Sequence, residues 1–272
     1  MVLQVSKNEN IIDLETRQLI SKRYKTITRA VNREFWNITS DTSHSLYVGS
    51  YGRGTAVNTS DIDILLELPQ YELIHYNSLR GNKQSKLLQA VKEAVQTPYP
   101  YTDIRADGQV IKVQFTDGMK LELLPAFKGG SLYRNSYTYP DSNMGGNWKS
   151  TNPQREQDAM KEKNKTSNGL LFDTCKHIRM IRDEYYTSYH LSGIVIDTFV
   201  YNNIGDWQWA TEPSNSIQSS RRYEQELLEK FNSNTLNSRY YSTWYAPGSG
   251  QRVDTNSSIE TLKKILELIN QE

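Results

Sequence analysis

Val48-Gly49-Ser50-Tyr51-Gly52-Arg53-Gly54-Thr55-Ala56-Val57-Asn58-Thr59-Ser60-Asp61-Ile62-Asp63-Ile64-Leu65-Leu66 is the stretch that decides the fold. A Gly-Ser turn is followed, after the spacer Tyr51 to Ser60, by Asp-x-Asp inside a β-branched apolar run. An extended chain alternates its side chains, so Asp61 and Asp63 share one side of a strand and Ile62 and Ile64 the other. Two converging carboxylates repel unless a cation lies between them, and oxygen-only ligands suit Mg²⁺ or Mn²⁺. Gly49 and Ser50 offer backbone N–H groups and a hydroxyl, which suit a phosphate. Such a cradle beside a two-metal carboxylate site is equipment for nucleotidyl transfer. Alone, Asp-x-Asp also describes many solvated strand faces, and a Gly-Ser turn is ordinary turn chemistry. The two motifs carry the reading only together and in this order.

Outward from this stretch, Glu9 to Asn37 reads as one long helix, with Ile12, Leu19, Ile20, Ile27, Val31 and Phe35 at helical spacing. Leu46-Tyr47-Val48 is a short strand before the Gly-Ser loop, and Ser60 to Leu68 is the Asp-bearing strand, ended by Pro69. Asn82 to Gln96 has a helical stripe. Asp103 to Phe115 is strand material, Asp117-Gly118 centres a hairpin turn, and Lys120 to Leu124 is the partner strand, stopped by Pro125. Lys128 to Pro153, rich in Gly, Ser, Asn, Tyr and Pro, reads as a long loop. Helical periodicity returns near Pro153, with helices expected over 169–186, 192–202, 218–231 and 257–270.

The chain has 272 residues, enough for a sizeable core in one large or two intimate domains. Its 32 Lys and Arg against 31 Asp and Glu argue against a strongly basic, nucleic-acid-coating protein. One cysteine, Cys175, excludes an intramolecular disulfide or a cysteine-built zinc ribbon. No signal peptide and no membrane-length apolar run is visible, and a cytoplasmic location is expected.

A two-metal transferase needs a third acidic ligand on a neighbouring strand. Glu122, in Leu121-Glu122-Leu123-Leu124-Pro125-Ala126-Phe127, is the candidate. Burying it uncompensated would be costly, so it either meets solvent on an edge strand or is paired.

The hydrophobic-Gly-Ser element, the spacer and Asp-x-Asp resemble the signature of the DNA polymerase β-like nucleotidyltransferase superfamily. The pattern after Glu122 resembles the surroundings of that superfamily's third catalytic acid, usually Asp. Glu adds a methylene, and misplacement near ~1 Å can cost a large factor in rate. Arg53-Gly54-Thr55, Trp148-Lys149-Ser150-Thr151-Asn152-Pro153, Cys175-Lys176-His177-Ile178-Arg179 and Leu191 to Phe199 narrow the likeness. From Ile12 to Asn202 the chain resembles the cGAS/DncV-like nucleotidyltransferases (CD-NTases).

That resemblance implies an α+β, two-lobed polymerase β-like fold: a mixed sheet with a long N-terminal spine helix over residues 1–150, and a helical lobe over 151–272. It implies that Asp61, Asp63 and Glu122 bind two Mg²⁺ (or Mn²⁺), that Gly49 and Ser50 contact the donor phosphates, and that Lys176 holds the triphosphate. An ordinary exposed helix lysine is the competing reading of Lys176. The implied activity is synthesis of cyclic di- or trinucleotide second messengers from NTPs, with an effector protein sensing the product in antiphage defence, and an unknown activator remains possible. Relatives often carry a polar donor and an aromatic residue where this chain has Gly193 and Ile194. Base stacking is then expected from elsewhere, with a tyrosine of the 133–139 loop as candidate. The zinc ribbon through which the vertebrate enzyme senses DNA has no counterpart, and the scattered His44, His75, His177 and His190 are expected to serve packing or surface roles. Rival readings are a template-independent RNA-end nucleotidyltransferase, a protein- or drug-modifying nucleotidyltransferase and a non-catalytic nucleotide-binding module.

Overall fold

The computed structural model describes residues 4–9, 11–129, 136–210, 221–236 and 243–271. The chain divides into two compact units. One comprises Asp13–Gly52 and Ser60–Gln154; the other comprises Met1–Ile12, Arg53–Thr59 and Arg155–Glu272. The change at Gln154 follows the Trp148–Pro153 element directly. The second unit also takes two short segments from the first half of the chain.

The first unit is built on a mixed sheet. Its strands are β1 (Ser45–Tyr47), β2 (Ile62–Leu68), β3 (Asp103–Asp107), β4 (Val110–Gln114), β5 (Lys120–Lys128), β6 (Tyr137–Asp141) and β7 (Asn147–Thr151). The order is β1-β2-β5-β4-β3, with β6 on the far half of β5 and β7 on β6. Only β2 and β5 run parallel; the other pairs are antiparallel. Helix α1 (Leu14–Val31) and helix α4 (Lys83–Gln96) pack on each other and on the sheet. Their buried stripes are Ile20, Tyr24, Ile27 and Val31, and Leu87, Leu88, Val91 and Val95. Asp13 caps the first helix by accepting from the Thr16 N–H at 2.7 Å. A π-helical turn, Asn32–Trp36, extends α1 and ends at Asn37, whose φ is +54°. The Asn32 amide donates to the Ser40 and Ser43 carbonyls, both at 2.9 Å, which fixes the chain's return toward β1.

Four local expectations are corrected. The Gly-Ser turn is a short helix, α2 (Gly49–Arg53). The segment 103–115 is a hairpin rather than one strand, because Gly108, at φ +60°, turns the chain between β3 and β4. Pro125 does not stop β5. Its missing N–H falls in a gap, since β4 pairs only as far as Leu123 and β6 begins at Phe127. The expected loop 128–153 contains the β6–β7 hairpin, which Tyr137 and Tyr139 seat against Val48, Leu65 and Ala126 and which polar contacts also hold in place. Gln109 donates to Asp141 at 3.1 Å, Asn82 donates to the Ser142 carbonyl at 2.7 Å, and Lys149 pairs with Asp141 at 2.6 Å. Between β2 and α4 lies α3 (Gln70–Ser78), a helix with no clear apolar stripe.

The second unit comprises α5 (Pro153–Thr166) from Arg155 onward, α6 (Leu170–Tyr185), α7 (Gly193–Asn203), α8 (Arg221–Leu236) and α9 (Ile259–Ile269), with a small hairpin of β8 (Trp244–Tyr245) and β9 (Arg252–Val253). Its core gathers Leu171, Ile178, Val195, Phe199, Phe231 and Leu262 around α6 and α7. The N-terminal segment is tied here too, Val5 N–H donating to Glu224 at 3.0 Å. No helix among the described residues is long and apolar enough to cross a membrane.

The β6–β7 hairpin carries a pH signature. The Lys149 ammonium, then the Asn143 N–H, hold the Asp141 carboxyl at about 2. A lowered carboxylate contributes stability above its unfolded value, near 3.9, and loses that contribution as pH falls through the folded value. The melting temperature of wild type should therefore exceed that of Asp141→Asn above about pH 5, and the difference should shrink between about pH 4 and 2. Thermal melts of both proteins across that range check it.

Candidate active site

Strand β1 leads through Val48 into α2, and Val48 N–H donates to the Asp63 carbonyl at 2.9 Å. This bond ties the start of α2 to β2. Gly49 has φ +58°, and a Cβ built there would lie 1.7 Å from Asp63 Oδ2 and 2.5 Å from its Cγ. The glycine is thus required twice, by its left-handed backbone and by a carboxylate occupying the space of a side chain. Ser50, the next residue of α2, is half-buried.

Asp63 lies directly opposite Glu122 in the parallel β2–β5 register. Paired residues on neighbouring strands project to the same face; β2 begins at Ile62 rather than Ser60, so Asp61 stands just before the strand, and its charge is felt at Glu122. Burial raises the Glu122 carboxyl above the usual carboxylate range, the Asp61 charge raises it further, and Lys112 opposes both. Lys112 is the cross-strand partner of Glu122 on β4 and pairs with Asp107 at 2.6 Å. Asp107 and Lys112 are the site's neighbours that the sequence reading missed. Recognising Asp107-Gly108 as a turn would have placed Lys112 against Glu122.

Asp61, Asp63, Glu122, Gly49 and Ser50 all belong to the sheet unit, and Lys176 belongs to the helical unit. Lys176 is half-buried on α6 and makes no ion pair or hydrogen bond among the described residues. Burial lowers its ammonium pKa, and Asp173, one turn earlier, opposes the shift. Gly193 has a structural reason of its own. Its carbonyl accepts from Arg179 Nη2 at 2.9 Å, and a Cβ on it would lie 3.0 Å from that nitrogen. Ile194 packs against the helical core. Of the tyrosines considered for base stacking, Tyr133 lies outside the described residues. Tyr137 is buried on β6, and Tyr139, half-buried, packs beside Val48, Leu65 and Ala126.

No group of three His, Cys, Asp or Glu side chains among the described residues closes into a metal-holding cluster. The donor chemistry nevertheless fits a hard divalent cation. The shared face offers carboxylate oxygens, and burial first, then the Asp61 charge, disfavours an ionised Glu122, a cost that a cation would offset.

The sequence profile of the SMODS family, the Second Messenger Oligonucleotide or Dinucleotide Synthetase domain, matches residues 6–164. No curated protein sequence matches the chain. Among solved structures, the CdnE cyclic dinucleotide synthase of Elizabethkingia meningoseptica, solved with GTP and Apcpp, is similar with a TM-score of 0.65 at 15% identity, over 94% of this chain and 91% of that one. The Vibrio cholerae cyclic AMP-GMP synthase DncV is similar with a TM-score of 0.64 at 12% identity, over 96% and 84%. The Bradyrhizobium diazoefficiens CD-NTase CdnG, in complex with GTP, gives 0.62 at 12% identity, over 96% and 85%. At these identities the likeness shows the fold.

The role of Gly49 can be separated from ordinary turn strain. Gly118 also has positive φ, +90°, but a Cβ there meets nothing within 4 Å. Gly118→Ala should cost about 1 kcal/mol through backbone strain alone. Gly49→Ala should cost at least about 1 kcal/mol more, because Asp63 or α2 must move. Urea unfolding of the two variants measures the difference.

Proposed function

The chain belongs to the SMODS family, and on that footing we propose that it is a CD-NTase that joins NTPs into cyclic di- or trinucleotide second messengers. The observation that carries the proposal is the pairing of Asp63 with Glu122 on adjacent parallel strands, with the Gly49 backbone pressed against Asp63. Asp61 completes a carboxylate face at the end of the sheet, where a triphosphate's charge has to be met by cations.

In this reading Asp61, Asp63 and Glu122 hold divalent cations, Mg²⁺ or Mn²⁺. Such ions supply charge neutralisation on the triphosphate and a lowered pKa for an acceptor hydroxyl. The protein's own part is orientation. Gly49 keeps the backbone close enough to the carboxylates for a phosphate to lie between the cations they would hold and the Ser50 hydroxyl. Lys176, with its ammonium unengaged by any ion pair among the described residues, binds the donor triphosphate as a point charge. Lys112 balances the excess negative charge beside Glu122 before substrate arrives. One round yields a linear dinucleotide by attack of a ribose hydroxyl on an α-phosphate with loss of pyrophosphate. A further round closes or lengthens it, and the product serves an effector protein that senses it.

The test is incubation of the purified chain with four α-labelled NTPs and Mg²⁺ or Mn²⁺, without nucleic acid, followed by phosphatase and chromatography. Phosphatase-resistant label is expected from wild type. It should fall at least about 10³-fold, roughly 4 kcal/mol of transition-state stabilisation, in Asp61→Ala/Asp63→Ala. Absence of product from wild type with either metal would favour a nucleotide-binding module instead.

A further inference from the structure

Within the spacer between the Gly-Ser and Asp-x-Asp motifs, the segment Arg53–Thr59 is built into the helical unit, although the residues on either side of that segment belong to the sheet unit. Its first residue, Arg53, ends α2, three residues after Ser50. The Arg53 guanidinium donates to Asp197 at 2.8 Å and to Glu156 at 3.1 Å. Thr55 donates to the same Asp197 carboxylate at 3.1 Å, and Arg179 pairs with its other oxygen at 2.7 Å. Asp197 is fully buried, and so is Thr55. Gly54, at φ +80°, is held against Phe172, whose ring would lie 2.5 Å from a Cβ there. Ala56 and Val57 are buried in turn. At the far end, the exposed Thr59 hydroxyl donates to Asp183, which also receives the Arg182 Nε at 2.6 Å. Thr59 stands two residues before Asp61.

One end of this segment is therefore pinned by α7 and the other by α6, and each end lies two or three residues from a motif residue. A chain of fixed covalent geometry passes a displacement of its anchor to the next residues. Misplacement of about 1 Å at a reacting centre can cost about 10²-fold in rate. We infer that residues 53–59 are a strap whose two clamps, Asp197 holding Arg53 and Thr55, and Asp183 holding Thr59, are positioning elements that set the reach from Ser50 to Asp61. This inference rests on the transferase reading above. It assigns work to Asp197 and Asp183, which touch no substrate in that reading, and it gives the spacer a reason for its length.

The Thr59 clamp tests it best, because that end is exposed. Thr59→Val keeps the shape and removes the donor; Thr59→Ser keeps the donor; Asp183→Asn weakens the acceptor. Initial rates across an NTP series with Mg²⁺, and thermal melts, are measured on the full chain. Thr59→Val and Asp183→Asn should melt within about 2 °C of wild type, as surface substitutions do. Their kcat should fall about tenfold with KM changed less than about twofold, and Thr59→Ser should restore kcat. If both variants retain the wild-type kcat, or lose only melting temperature, the strap is merely structural and the inference is overturned. Should Thr59→Val fail to fold, Asp183→Asn decides the matter by the same criteria. Wild type making no product overturns the transferase reading itself, a different result from active wild type with indifferent variants.

Discussion

Three carboxylates on one face of a sheet form an arrangement that the sheet itself does nothing to stabilise. Asp63 and Glu122 are direct partners across β2 and β5, and like charges directly opposite on neighbouring strands are destabilising. The arrangement persists because the other face of the same strands is committed. Ile62, Ile64, Leu66, Leu121 and Leu123 are all buried, and a one-residue slip of either strand would turn those apolar side chains toward the carboxylates' side. Burial of the even-numbered β2 residues thus holds the odd-numbered carboxylates in place. The surrounding details follow from this constraint, including a glycine where Asp63 needs room and a lysine where Glu122 needs a counter-charge.

The helical unit meets charge in the opposite way, by burying it with its partners. Asp197 is wholly enclosed. Burial alone would push its carboxyl up, yet the Arg179 and Arg53 guanidiniums outweigh that and hold it lowered. Glu156, which shares Arg53, remains raised because burial there outweighs the guanidinium. Removing one member of such a buried pair typically costs about 3–5 kcal/mol, since the other charge is left uncompensated. Apolar replacement of the whole set need not, so the network marks specificity of arrangement more than stability. What it specifies is the path of the segment joining α2 to β2.

The legibility of the chain tracks how far apolar patterning controls each part. α1, α4, α6 and α9 have buried stripes at helical spacing, α7 is an apolar run buried on all sides, and the sequence places all five within a few residues. β2 and the first part of β5 are legible for the same reason. The β6–β7 hairpin is not, because its strands are short and mostly polar, and the contacts that seat it, Tyr137 and Tyr139 on the core and the Asn82 amide on Ser142, join residues distant in sequence. The Asp107-Gly108 turn is hidden within a run that alternates on both sides of it. The clamps on Arg53 and Thr59 are invisible in sequence because their partners lie more than 100 residues away. The Asp-x-Asp pair is the easiest part of the site to find, because its two residues are local and their period is the strand's own.

Glu122 shows where a local rule needs its neighbours. Read alone, the extra methylene relative to Asp is a liability, since it lengthens the reach to anything Asp61 and Asp63 also touch. In place, Glu122 lies between two strands with different obligations. On one side is Asp63, a like charge that repels it, and on the other is Lys112, already engaged with Asp107. A longer side chain can move between the two without shifting β5, whose buried Leu121 and Leu123 fix its register. The backbone thus remains set by the core, and in the transferase reading the longer side chain is the part left to reach a cation. The substitution that looks like a departure in sequence is compatible with the carboxylate set because the adaptable atoms sit beyond the rigid ones.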